Sequence, residues 1–493
     1  MSQTTRPATT NDETAPPDRD DGWTARQRAA VAITAVCGVL VALTQTLLIP
    51  MMSEIQAELG SSSSGTQWLL TSTLLVAAIA VPVFGRLGDI FGKRLMLLVA
   101  IGALLLGSLI CALAGGSLAV MIAGRAVTGA SAAAIPLGIS VIGSVLPAHR
   151  AGTGIALVSA TLGVGGALGL PLAALVAQSA DYDVLFWICV AGAAAAMAGI
   201  RWAVDADPPQ VDDGRVDFVG AGLLTLILVC LLLPLSQASS WGWGDPRTLG
   251  LLAVSLIALA VFVVVERRMT SPLVDVVSNA RPALLLTNIA SVCVGFALFA
   301  MLIGTASYVQ APEATGYGFG STMLAAGLAM APSGIMMLLL APVSAALSTR
   351  YGPKVTLALG AVVIATGFVF RITVIDHFWQ IVVGTTIVGA GTGIAYAAMP
   401  SMILLGARKS ELAAANGLNA LARTVGSSVA SAVGGTILAA QTINLAGVDL
   451  PSLGAYRTLF ALCAGSALLG AAIALTVPTG RRETAVDLAS RAS

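Results

Sequence analysis

Apolar residues fall along the chain in fourteen long runs, near residues 29–49, 68–85, 95–114, 118–146, 152–177, 184–204, 218–237, 248–265, 283–309, 322–346, 355–374, 379–404, 412–440 and 456–477. Short polar stretches rich in Gly, Pro, Ser and charge separate them. Each run covers about 18 to 28 residues, long enough to cross a hydrocarbon layer of about 30 Å as a helix. A count of twelve would require discarding two runs, and none is weak enough to drop. The pattern predicts an all-α polytopic membrane protein with fourteen transmembrane helices. Composition agrees, with 57% hydrophobic and 10% charged residues against roughly 25% charged in an average soluble domain.

Basic residues set the expected orientation, because Lys and Arg accumulate in short loops on the cytoplasmic side. With fourteen crossings, Arg26, Arg86, Lys93, Arg94, Arg150, Arg201, Arg267, Arg268, Arg350 and Arg408 share the side of both chain ends, whereas the other side receives Arg247, Arg371 and Arg457. Both termini are therefore expected in the cytoplasm, and the protein in the plasma membrane. Residues 1–28 and 478–493 read as cytoplasmic tails, the first of them disordered. A net charge of +1 and the lack of a basic, aromatic-interleaved patch give no sign of a nucleic-acid partner.

Catalytic chemistry finds no constellation. The six cysteines fall in six different apolar runs without paired spacing, and the two histidines, His149 and His377, sit near helix ends. That argues against disulfides, a metal site, a cofactor or His-based catalysis. No nucleophile–base pair or phosphate-cradling glycine loop marks an enzyme.

The most informative segment is GRLGDIFGKR, Gly85 to Arg94, a charged, glycine-studded turn between two apolar runs. Gly85, Gly88 and Gly92 allow close packing, and Asp89, Lys93 and Arg94 carry opposed charges able to bond each other or helix ends. A degraded copy, AALSTRYGPK, lies 260 residues downstream and keeps Gly352 under Gly92, with Thr349 under Asp89. At the same offset Gly124, Gly129 and Ala130 overlie Gly384, Gly389 and Ala390. Such a repeat predicts two six-helix bundles, residues 29–204 and 283–477. Residues 205–282 form a linker holding two extra transmembrane helices. Paired bundles are the physical basis of alternating access, in which a midplane cavity opens to one side and then to the other.

These residues resemble the major facilitator superfamily, and the two inserted helices make the chain similar to its fourteen-helix drug:proton antiporter group. GRLGDIFGKR resembles the signature between helices two and three, although Ile90 stands where a basic residue is usual. AGRAVTGASAAA (Ala123 to Ala134) resembles the fourth-helix signature, GVGGALGLP (Gly163 to Pro171) that of the fifth helix in exporters, and NGLNALARTVGSS (Asn416 to Ser428) the group's thirteenth helix. The resemblance implies a monomeric secondary transporter: proton-coupled efflux of amphipathic drugs, or otherwise a facilitator for a specific small metabolite. It implies that Gly85, Asp89, Gly92, Lys93 and Arg94 control conformation, with Asp89 and Arg94 stabilising one gating state. Gly163, Gly166, Gly169 and Pro171 are then a helix hinge. Partners are a small-molecule substrate, protons and the lipid bilayer.

Arg125 is the sharpest single residue. It lies about 12 Å along the fourth helix at 1.5 Å per residue, where a guanidinium costs roughly 2.5 to 3.5 kcal/mol unless it meets a partner or a wet cavity. Counting along the first helix brings Thr44, Gln45 and Thr46 to its level, and Gly129 follows it by one turn. Many members of the group carry an aspartate in that part of the first helix, and ALTQTLLIP has none. No Asp or Glu falls in the middle of any apolar run, which leaves Asp89 and Glu313 as peripheral titrating candidates. Without a buried carboxylate, neutral, zwitterionic or anionic substrates are expected over strongly cationic ones. Asn288, Phe296, Phe299, Tyr308, Tyr396, Asn416, Asn419 and Arg423 are candidate lining of an amphipathic pocket.

Overall fold

The computed structural model describes residues 24–48, 55–56, 58–61, 63–177, 181–205, 217–269, 272–408, 411–445 and 448–478. The expected C-terminal tail lies almost wholly outside these residues, as does most of the N-terminal one. The first helix begins earlier than its apolar run, at Ala25, because Thr24 and Gln27 form a capping box,.

The N-terminal half contains α1 (Ala25–Thr46), α2 (Ser63–Phe91), α3 (Lys93–Ala112), α4 (Leu118–Val145), α5 (Ala148–Ala177) and α6 (Asp183–Ala203). An inserted pair follows, α7 (Phe218–Trp241) and α8 (Pro246–Glu266). The C-terminal half contains α9 (Pro282–Gln310), α10 (Met323–Tyr351), α11 (Pro353–Thr373), α12 (Phe378–Gly406), α13 (Leu412–Ala440) and α14 (Leu453–Thr476). Helices dominate because a chain in hydrocarbon must satisfy its own backbone donors and acceptors. Proline sets three of the starts, at Pro246, Pro282 and Pro353, where its missing N–H costs nothing. Short connections alternate the helix directions. The start of α1 and the end of α14 therefore share one face, the terminal face.

Among the described residues thirteen helices are long and apolar enough to cross a membrane. The fourteenth long helix, α13, falls short in composition because it carries Asn416, Asn419 and Arg423. All three are buried, and a helix whose polar side chains face protein tolerates them in a bilayer. One feature was not expected from the sequence: a small antiparallel hairpin, Thr442–Leu445 with Val448–Pro451, joins α13 to α14 on the face opposite the termini. Arg371, counted to that face, is fully buried in the last turn of α11. Its guanidinium sits 4.1 Å from the Phe460 ring centre,.

The repeat is visible down to single carbonyls. Gly92 and Gly352 join α2 to α3 and α10 to α11 at φ values of 99° and 87°, which favour glycine. In each copy the glycine N–H donates four residues back, to Gly88 or Ser348, and its carbonyl accepts from Met96 or Thr356. A side chain on Gly129 would strike the Thr73 carbonyl of α2, and one on Gly389 the Ser333 carbonyl of α10. The Leu69 carbonyl accepts from Arg125 Nε at 3.3 Å, and its counterpart on Ala329 accepts from Thr385 Oγ1 at 3.0 Å.

Helices α7 and α8 pair with each other, and α7 packs against both α2 and α13, straddling the seam between the halves. Leu228, Leu232 and Phe262 fill that contact with Ala78 and Leu421. The opposite side of α8 exposes Leu256, Ile257 and Val264, a lipid-facing stripe.

The two turn glycines give the first expected outcome. Gly92→Ala and Gly352→Ala should each destabilise the purified protein by about 1–3 kcal/mol, the usual cost of a strained backbone position. Gly250→Ala, an exposed helical position with open space around it, should leave thermal unfolding unchanged or slightly raised. Equal midpoints for all three variants would contradict the strain argument.

Candidate functional site

The halves meet along α2 with α13 and along α5 with α10. On the first seam the backbones touch almost directly. A side chain on Gly85 would lie 2.8 Å from the Ala413 carbonyl, and one on Gly417 would lie 2.9 Å from the Val81 carbonyl. One turn beyond Gly85, at the terminal face, the Asp89 side chain is fully buried. Its Oδ1 accepts from the Ala413 N–H at 3.3 Å and its Oδ2 from the Ala414 N–H at 3.1 Å. These are free donors of the first turn of α13, whose own N-cap residue, Glu411, makes no side-chain cap bond. Asp89 thus caps α13 from the other half of the molecule, where a carboxylate also meets the positive end of the helix dipole. Asp89 keeps its place at the helix end and is buried there.

The other charges of the turn do different work. Arg94 Nη2 donates to the Arg201 carbonyl at 2.8 Å, closing the end of α6, and does not pair with Asp89. Lys93 is buried beside the turn, and so is Arg86, whose Nε finds no acceptor among the described residues. Sequence reasoning missed two further buried carboxylates at the terminal ends of the inserted pair. Asp217 caps α7 through the Gly220 N–H at 2.7 Å, and Glu266, 3% exposed, faces the backbone of Leu273 and Val274.

On the second seam the small residues of α5 let three neighbours approach. A side chain on Gly163 would strike Met337 of α10, one on Gly169 would strike Thr46 of α1, and Gly327 packs on Pro171. Helix α5 remains continuous through Pro171. Gly166 faces open space and lines the central cavity.

That cavity, about 250 Å³, lies between the halves, displaced from the Asp89 contact toward the opposite face. Its wall takes Ala42, Gln45 and Thr46 from the end of α1, and Leu70, Thr73 and Leu74 from the start of α2. Arg125 and Pro136 come from α4, and Leu298, Phe299, Leu302, Ile303 and Ala306 from α9. Tyr396 of α12 and Ala420, Arg423, Thr424 and Ser427 of α13 also line it. The stripes recur at helical spacing, which is the signal a sequence reading could have used.

Arg125 is 2% exposed. Its Nε donates to the Leu69 carbonyl and its Nη2 to the Thr44 carbonyl at 3.2 Å. The expected neighbour Thr44 is therefore a partner through its backbone, while Gln45 and Thr46 line the cavity beside it. Arg423, 9% exposed, lies 5.1 Å from the Tyr396 ring centre and donates from Nη1 to Asn419 Oδ1 at 2.7 Å. Asn419 in turn donates to Asn288 Oδ1 at 3.0 Å and to Ser291 Oγ at 2.8 Å. Of the residues expected in a pocket, Phe299, Tyr396 and Arg423 line the cavity. Asn419 and Asn288 instead brace Arg423 from behind. Asn416 bonds its own helix at Leu412, Phe296 packs into the C-terminal core, and Tyr308 joins an aromatic cluster with Tyr317 and Tyr456.

Comparison with known proteins agrees with this architecture. The sequence profile of the Major Facilitator Superfamily matches residues 34–309 and 292–492. The tetracenomycin C resistance and export protein of Streptomyces glaucescens is 28% identical over 448 residues, 88% of this chain and 81% of that protein. The multidrug resistance protein Stp of Mycobacterium tuberculosis (strain CDC 1551 / Oshkosh) is 24% identical over 394 residues, 79% of this chain and 72% of its own. The crystal structure of the human organic anion transporter MFSD10 superposes with a TM-score of 0.64, covering 92% of this chain and 100% of that one. At 14% identity that likeness speaks to the fold alone.

The trans cap carries its own test. Asp89→Ala leaves two helix-end donors without their acceptor and should cost about 0.5–2 kcal/mol. Asp89→Asn keeps an acceptor and loses chiefly the charge, about 0.3–1 kcal/mol. Thermal unfolding of the purified variants should rank them in that order below wild type. An Asp89→Ala midpoint equal to wild type would remove the contact from the account.

Proposed function

The chain belongs to the Major Facilitator Superfamily, and on that premise we propose that it exports amphipathic small molecules by alternating access, driven by protons. It is a transporter rather than an enzyme. The observation that carries the reading is the position of the cavity. It lies between two repeat-related halves and is separated from the terminal face by the Asp89 cap and the close α2–α13 seam. In this reading residues 29–204 and 283–477 rock against each other, and the terminal face is cytoplasmic. The Streptomyces relative, named for resistance and export, supports export as the direction.

Asp89 links protons to the movement. Ionised, it caps α13 and holds the cytoplasmic face shut. Once the halves part, the carboxylate loses both donors and meets water, so protonation of Asp89 before they close again would weaken the cap,. Closure of the cytoplasmic face behind an outward-moving substrate then needs the ionised carboxylate to recap α13. Arg125 organises the cavity wall through two carbonyls on different helices. A lysine keeps the charge but lacks the fork that reaches both.

Everted membrane vesicles given a panel of neutral, cationic and anionic amphipathic dyes in the outside medium test the proposal. Dye should accumulate inside when the lumen is acidic and stop when a protonophore is added. Arg125→Lys, at wild-type protein level, should transport at least about tenfold more slowly, the loss of one charged hydrogen bond. Movement of dye out of the vesicles would make the protein an importer. Indifference to the protonophore would remove proton coupling, and full transport by Arg125→Lys would return that residue to a structural anchor.

A further inference from the structure

Among the described residues the cavity wall holds two guanidinium groups and no acid. Arg125 projects from α4 in one half and Arg423 from α13 in the other, and both line the cavity. No Asp or Glu stands among the residues of the wall. Neither arginine forms a salt bridge with a described residue, and each keeps donors in reserve. Arg125 spends Nε and Nη2 on carbonyls, and Arg423 spends Nη1 on Asn419. Arg125 Nη1 and Arg423 Nε and Nη2 make no hydrogen bond to described residues, and none of the three is sealed from the cavity as an orphaned buried atom.

A buried charge without a counter-charge is costly, and two of one sign in one low-dielectric chamber reinforce each other's field. The cost falls when an anion enters. Donor geometry favours the same occupant, because a guanidinium fork matches carboxylate, phenolate or sulfonate oxygens. The rest of the wall is apolar, supplied by Leu298, Leu302, Ile303 and Leu70, with Phe299 and Tyr396 as its aromatic rings.

We infer that the substrate class of this cavity is the amphipathic organic anion, an acid group on a flat aromatic body, held by Arg125 from one half and Arg423 from the other. The inference rests on the transport reading and adds a consequence to it. A bound anion is attracted to both halves at once, so loading itself draws them together around the cavity. Asn419, tied to Asn288 and Ser291, keeps the Arg423 head in place against the Tyr396 ring.

Fluorescein and rhodamine 6G share a xanthene skeleton and differ in the sign of their charge, which makes them suitable probes. Fluorescence polarisation with the purified full-length chain should show fluorescein binding at least about tenfold more tightly than rhodamine 6G. Arg125→Gln and Arg423→Gln should each weaken fluorescein about ten- to a hundredfold, the range of one charge-assisted hydrogen bond. Rhodamine 6G affinity should stay the same or rise. Arg423→Lys keeps the charge and should recover part of the fluorescein affinity, which separates lost electrostatics from lost folding. Tighter binding of rhodamine 6G by wild type, or equal loss of both dyes in the glutamine variants, overturns the anion assignment and leaves the transport reading standing. Binding that sorts by charge while neither dye crosses a vesicle membrane leaves the assignment standing and overturns the transport reading.

Discussion

The contact on which the rest of the architecture turns is a carboxylate of one half capping a helix of the other. Asp89 takes the Ala413 and Ala414 N–H groups at the start of α13, and it reaches them because Gly85 and Gly417 let α2 and α13 approach backbone to backbone. A larger residue at either glycine would push the helices apart and strand the carboxylate. The contact is strong enough to matter, since it combines two charge-assisted hydrogen bonds with a helix dipole. It is also localised enough to break as a unit, because it involves a single side chain at one end of the seam.

Charge placement follows from that geometry. Among the described residues, the buried acidic side chains lie at the terminal face, at Asp89, Asp217 and Glu266, while the cavity wall carries Arg125 and Arg423 as its charged groups. The two kinds of chemistry are therefore separated along the membrane normal. Protonation would act on the seam, and substrate would act on the cavity. The inserted pair α7–α8 bridges them mechanically, since α7 rests on both helices of the seam and brings Asp217 and Glu266 to the end where Asp89 sits.

Much of this was legible in the sequence where the signal is local. The fourteen apolar runs correspond to fourteen long helices, and the 260-residue offset between GRLGDIFGKR and AALSTRYGPK reappears as two turns with the same backbone geometry. Helical counting from Arg125 to the end of α1 found Thr44, because depth in a membrane is a property of residue number. The partner of Asp89 was not legible. It lies 324 residues away, and a backbone donor leaves no mark in residue type. The pocket was half found for a similar reason: Arg423 and Tyr396 announce themselves by chemistry, whereas Leu298, Leu302 and Ile303 look like any other lipid-facing apolar residues. Asn288 and Asn419 looked like pocket residues and instead hold Arg423 from behind. Sequence shows that a buried amide needs partners, not which way it points.

The central claim is that the two faces open in alternation about this seam. Pulsed electron spin resonance between labels at Phe91 and Tyr351 on the terminal face, and at Leu113 and Thr373 on the opposite face, tests it most directly. All four sites are exposed and are paired by the 260-residue repeat. Across a pH titration in nanodiscs, with and without a transported dye, the two distance distributions should shift in opposite senses, one pair widening as the other closes. Distributions that both stay fixed, or that widen together, would contradict alternating access in this protein.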